Sequence, residues 1–373
     1  MEILLWIGGV VLFILILMVS VGLHEAGHMV AAKKLGVRVP EFFIGFGRKL
    51  WSFKKGETEY GIRALPLGGY VRLVDDKTEG DGPEREMLSN VAPWKRQIIF
   101  AAGPAVNIIL GFAIIFSALL IFPYNTPDTS VNTVNICSPK QAVCGANEAG
   151  ILSGDRLVSI DGKKVAAVED ISPLLKGKKT ANIEMLRNGE TVKFDSVVIT
   201  DNRFGVDLNW KEMNRTPGES ASLTVNLVKQ SAQTVLAIPS KVPGLVETIF
   251  KGAERDPEAP GSVVGAANTY GDVASTNKLD NEDKVRTFVM IAGGLNMSLG
   301  LINLIPALPL DGGRMALALL DSIRMRFSKL RKKEYTPTPY KFVKIATLIP
   351  ATILVGVMAL LIVADIVSPV KLF

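Results

Sequence analysis

One stretch of the chain constrains everything else: an apolar run from Ile3 to Leu23 passes, without a proline or a charge, straight into His24-Glu25-Ala26-Gly27-His28. At 1.5 Å per residue a run of that length crosses the roughly 30 Å hydrocarbon core of a bilayer. A secretory signal peptide would need a basic start and a small-residue cleavage site. Position 2 is Glu2, and the helical pattern continues through His28 to Ala32, so an uncleaved span is expected. Further apolar runs cover Ile98 to Phe122, begin near Phe288, and extend from Phe342 to Val367. With 48% hydrophobic and 21% charged residues so distributed, a wholly soluble or disordered chain is excluded. The expectation is a polytopic α-helical membrane protein with about four transmembrane helices, at 1–33, 98–122, 288–320 and 342–367.

Lys and Arg orient the spans. Residues 31–97 hold 13 Lys/Arg against 9 Asp/Glu, and residues 321–344 hold 8 against 2. Between them, residues 123–287 hold 19 against 21. The positive-inside rule places the two short basic loops (34–97 and 321–341) in the cytoplasm and the long segment outside. Within the first loop, Glu41-Phe42-Phe43-Ile44-Gly45-Phe46-Gly47 and the later LPLGGYV read as a β-hairpin at the membrane surface. In the external segment, AGILSGDRLVSIDG followed by NIEML, the turn RNGE and TVKF resembles the PDZ domains of bacterial membrane and periplasmic proteases, over 123–202. An amphipathic stretch, 203–287, returns the chain to the membrane.

His24 and His28, the only two histidines, stand four residues apart, so both imidazoles share one helix face. Ionisable groups in a span cost roughly 2.5–3.5 kcal/mol each near the bilayer centre, and a bound Zn²⁺ offsets that cost. Glu25 lies beside the pair, where a carboxylate can take a proton from water. A catalytic zinc needs a third protein ligand. Both cysteines are placed outside, and Asp311 in Asn303-Leu304-Ile305-Pro306-Ala307-Leu308-Pro309-Leu310-Asp311-Gly312-Gly313 is the carboxylate at matching depth. Pro306, Pro309 and the glycine pair should interrupt that helix, as is tolerated where backbone lines a cavity. The plain alternatives are histidines that merely bond neighbouring helices, and an Asp311 paired with Arg314.

These motifs together, with Ala102-Gly103-Pro104-Ala105-x-Asn107 opening the second span, resemble the site-2 protease family of intramembrane zinc metalloproteases, in its RseP-like bacterial branch. The resemblance spans nearly the whole chain; only 201–287 and the last span match loosely. It implies one Zn²⁺ on His24, His28 and Asp311, with Glu25 as catalytic base. It further implies substrate contact at Asn303 and Pro306 and on the hairpin, here at Gly45, Phe46 and Gly47. Implied partners are the lipid bilayer, single-span membrane protein substrates such as anti-sigma factors, and an upstream site-1 protease; no nucleic acid is expected. The implied location is the bacterial cytoplasmic (inner) membrane, with the PDZ domain extracytoplasmic. A single PDZ copy is similar to the actinobacterial branch, and either a size filter or a peptide dock would suit it. Cys137 and Cys144 could form a disulfide outside the cell or remain thiols. A catalytically inert PDZ adaptor is the rival reading, against which the retention of Glu25 counts. A transporter is a weaker one, because the spans contain no internal repeat.

Overall fold

The computed structural model describes residues 1–74, 88–136, 143–251, 261–332 and 340–369. The Cys137 pairing therefore lies outside the described residues. Contacts divide the chain into two compact units, Met1–Leu119 with Pro217–Phe373, and Leu120–Thr216. The first unit opens with helix α1 (Glu2–Lys34), strands β1 (Glu41–Lys55) and β2 (Thr58–Arg72), and helix α2 (Pro93–Ile121). The second carries β3 (Tyr124–Val134), α3 (Gly145–Ala149), β4 (Arg156–Ile160), β5 (Lys163–Lys164), α4 (Ile171–Leu175), β6 (Thr180–Arg187), β7 (Glu190–Val198) and β8 (Val206–Met213). The first unit resumes with α5 (Pro217–Lys251), α6 (Val263–Ser275), α7 (Asn281–Asn303), α8 (Asp311–Leu330) and α9 (Tyr340–Val367).

Among the described residues, four helices are long and apolar enough to cross a membrane: α1, α2, α7 and the Ile345–Val367 part of α9. Helices in lipid gain little from burying one another's apolar faces, so close packing needs small residues. Here a Cβ on Gly27 would come 2.7 Å from the Ala102 carbonyl, and one on Gly111 2.9 Å from the Gly293 carbonyl. A Cβ on Gly300 would meet the Pro104 carbonyl at 2.9 Å. These glycines seat α2 directly against α1 and α7. The Asp280 side chain caps α7 by accepting the Asp283 N–H. After Asn303 the helix stops, and it restarts only at Asp311. Gly312 and Gly313 are helical, and their missing side chains leave room for the loop to fold back: a Cβ on Gly313 would lie 2.6 Å from the Ala307 carbonyl carbon.

β1 and β2 form one long antiparallel hairpin bent in the middle. Glu41–Ile44 is paired both with Glu59–Ile62 and with Gly69–Arg72, so it is the inner segment and Gly69–Arg72 an edge. The bend falls where Gly45 takes φ +88°, a region open to glycine and strained for other residues.

The second unit is an antiparallel sheet ordered β7-β6-β4-β3-β8, with β5 beside β4. Its core is built from Val131, Leu157, Ile160, Ile183 and Met185. NIEML falls in β6 and TVKF in β7, joined by a turn with positive φ at Asn188 and Gly189. The sheet extends beyond residue 202, because β8 pairs with β3 through Leu208 and Val131. The edge strand β8 and helix α4 line a cavity of about 430 Å³ with Ile171, Leu175, Phe204, Val206 and Leu208.

Asp155 is buried in this unit and accepts hydrogen bonds from Arg187 Nη2 at 2.6 Å and from the Leu152 N–H at 2.8 Å. The guanidinium holds its carboxyl below the usual carboxylate range. A depressed folded value stabilises the unit above the unfolded pKa near 3.9, and that contribution disappears as pH falls through the folded value. Arg187→Ala strands the buried Asp155 charge and lowers the stability of the unit. Pulse proteolysis of the full chain in urea should register the lower midpoint at neutral pH, and a smaller difference in acid.

Candidate metal centre

The centre is assembled from three helices. On α1, His24 and His28 are both buried, with ring centroids 4.8 Å apart. Helix α8 brings its first residue, Asp311, to both rings. Its Oδ2 lies 3.0 Å from His24 Nε2 and 3.1 Å from His28 Nε2, and the two Nε2 atoms are 3.2 Å apart. Each residue offers one ligand atom, all within 4.8 Å of one another. Two imidazole nitrogens and one carboxylate oxygen converging on a point suit a divalent cation accepting nitrogen and oxygen donors, zinc foremost.

Helix α2 contributes no ligand but serves both rings with residues four apart. The Ile99 carbonyl accepts His28 Nδ1–H at 2.7 Å, which fixes that ring with Nε2 turned to Asp311. Gly103 supplies the space: a Cβ there would lie 2.6 Å from His28 Cε1 and 2.8 Å from Cδ2. Asn107 is buried, with its amide 3.3 Å from His24 Nδ1. The α8 helix is in turn held to the start of α2 by Arg96 Nη1, which donates to Asp321 at 3.0 Å, and by Gln97 Nε2, which donates to the Met315 carbonyl at 2.6 Å. Asp311 is thereby located by two contacts along its own helix.

A cavity of about 290 Å³ opens onto this cluster. Glu25 lines it beside His24 and His28, and so do Asn303 at the end of α7 and the edge segment Gly69-Tyr70-Val71. Gly69 sits directly over Glu25, since a Cβ there would come 3.3 Å from Glu25 Cγ. Pro306 is exposed in the interruption between α7 and α8 and does not line the cavity. Nor do Gly45, Phe46 and Gly47, which lie at the hairpin bend, where Phe46 covers Gly68. Sequence reasoning selected the GFG turn of the hairpin; the cavity uses the other strand. Ile99, Gly103 and Asn107 were assigned no role, although Gly103 and Asn107 repeat on α2 the four-residue spacing of the histidines on α1.

The model of peptidase family M50 matches residues 12–346. The chain is 31% identical to the zinc metalloprotease Rip1 of Mycobacterium tuberculosis H37Rv, across 99% of this chain and 100% of that protein. It is also 31% identical to Rip1 of Mycolicibacterium smegmatis, over 98% of both chains. It is 30% identical to the chloroplastic membrane metalloprotease ARASP of Arabidopsis thaliana, over 83% of this chain and 70% of that protein.

Proposed function

We propose how this centre works from one fact: the chain belongs to peptidase family M50, the site-2 proteases, and is a multi-pass intramembrane zinc metalloendopeptidase acting on membrane proteins. In our reading, His24, His28 and Asp311 hold the zinc and Glu25 is the catalytic base. The observation that carries this is the convergence of three donor atoms, from helices 283 residues or more apart in sequence, to within 3.2 Å of one another. Zinc bound there supplies Lewis acidity towards the scissile carbonyl and lowers the pKa of water. Glu25 accepts the proton as water attacks and delivers it to the departing amine nitrogen. Asn303, at the cavity wall, is placed to bind the substrate backbone or the developing oxyanion.

A transmembrane helix keeps its peptide groups in its own hydrogen bonds, so the scissile stretch must unwind before it can be cut. The Gly69–Arg72 edge, paired on one side only and bordering the cavity, is where an unwound segment adds as a further strand. Single cysteines at Tyr70 and Val71 should cross-link to a substrate cysteine near its cleavage site, and a cysteine at Phe46 should not. Equal yields from all three would contradict this placement.

We read the β3–β8 unit as an extracytoplasmic PDZ domain in the bacterial cytoplasmic membrane, because the two short loops, 34–97 and 321–341, are the basic ones. The groove between α4 and the edge strand β8 favours docking of an extended peptide over simple exclusion by size. Single-span substrates already trimmed by a site-1 protease, anti-sigma factors among them, would present such peptides. The deciding experiment is zinc analysis of the parent beside Asp311→Ala, with cleavage of a reconstituted single-span reporter. We expect one zinc and cleavage for the parent and neither for the variant. Full zinc in the variant would remove Asp311 from the ligand set.

A further inference from the structure

We infer that Asn107 is a positioning residue that selects the tautomer of His24: its side-chain oxygen accepts the ring's Nδ1–H whenever Nε2 must present a lone pair to the metal. The inference rests on the ligand reading above.

Asn107 is 1% exposed on α2, and its amide nitrogen stands 3.3 Å from His24 Nδ1. In that orientation Nδ1 is an acceptor, and the ring's one proton belongs on Nε2, against Asp311 Oδ2 at 3.0 Å. A half-turn of the amide about its Cβ–Cγ bond exchanges nitrogen and oxygen in place. Oδ1 then accepts Nδ1–H, and the Nε2 lone pair is released towards Asp311 and His28. Asn107 Oδ1 is buried without a partner among the described residues, so the turn costs that oxygen no bond. An amide serves both tautomers; a carboxylate can only accept, and an alkyl group does neither. His28 has the equivalent support from the Ile99 main chain, so Asn107 holds the support that a substitution can remove.

Hydrogen bonds behind metal-bound histidines are worth 10–100-fold in metal affinity. Zinc competition against a chromophoric chelator, on the detergent-purified full chain, should show a 10–100-fold weaker Kd for N107L. N107D, which keeps the acceptor, should stay within about tenfold of the parent. The chain contains only two histidines, so [15N]His spectra of the zinc-loaded protein carry two ring systems. Two water-protected Nδ1–H signals are expected in the parent and N107D, and one in N107L. A merely structural Asn107 would lower melting temperature without separating N107D from N107L in zinc affinity. Should N107L not fold, N107A replaces it in the same comparison with N107D. Parent-like zinc binding in the apolar variant, or equal damage from both, overturns the inference. Parent-like zinc binding in His24→Ala would instead overturn the ligand reading.

Discussion

Glu25→Gln is expected to retain zinc at the parent stoichiometry and to cleave a single-span reporter about 10²–10⁴-fold more slowly, the span attributed to a positioned general acid–base. The side chain lies between the two histidines in sequence, lines the cavity, and has Gly69 over it. Glutamine has the same shape and still hydrogen-bonds to water, but it cannot carry the proton from attacking water to leaving amine. Packing and metal content therefore stay while turnover goes. The pair of measurements matters, because loss of both would indicate a structural failure. Cleavage at the parent rate would mean that another group is the base.

Gly103→Ala is expected to weaken zinc binding and activity through one methyl group. The added carbon would overlap the edge of the His28 ring, at 2.6 Å from Cε1 and 2.8 Å from Cδ2. The ring cannot swing aside without breaking its 2.7 Å bond to the Ile99 carbonyl. Overpacking of this kind typically costs about 1–3 kcal/mol, here directed at a ligand atom. Chelator competition and the reporter assay should both register the loss. Gly294→Ala is the matched control: that helical glycine has open space around it, and the variant should behave as the parent. Parent-like zinc binding in Gly103→Ala would mean that His28 is not held as described.

The spans, the ligand triad and the interrupted helix were legible because lipid makes their physics severe. Twenty uncharged residues in a row have few other uses, and two histidines with ligand spacing inside such a run need a strong reason to be there. The break at Leu304–Leu310 follows from Pro306 and Pro309, whereas Gly312 and Gly313 act by admitting the loop rather than by ending a helix. The hairpin was legible as a hairpin but not in its folding back, because pairing of Glu41–Ile44 with two partners leaves no mark on alternation. That is why the GFG residues drew attention and Gly69-Tyr70-Val71 did not. Strand β8 fell outside the expected sheet because its partner β3 lies some 70 residues earlier, a non-local pairing that local pattern cannot announce.

The carbonyl of Ile99 has a further meaning for variation in this protein. The anchor of one imidazole is a main-chain carbonyl, so replacing the side chain at 99 does not remove it, although that side chain is itself fully buried in the core. The other imidazole has a side chain behind it, and the first also needs the absence of one at 103. Inherited loss of metal binding should therefore concentrate on the helix that contributes no ligand, at its bare position and at its amide, as well as on the ligands themselves.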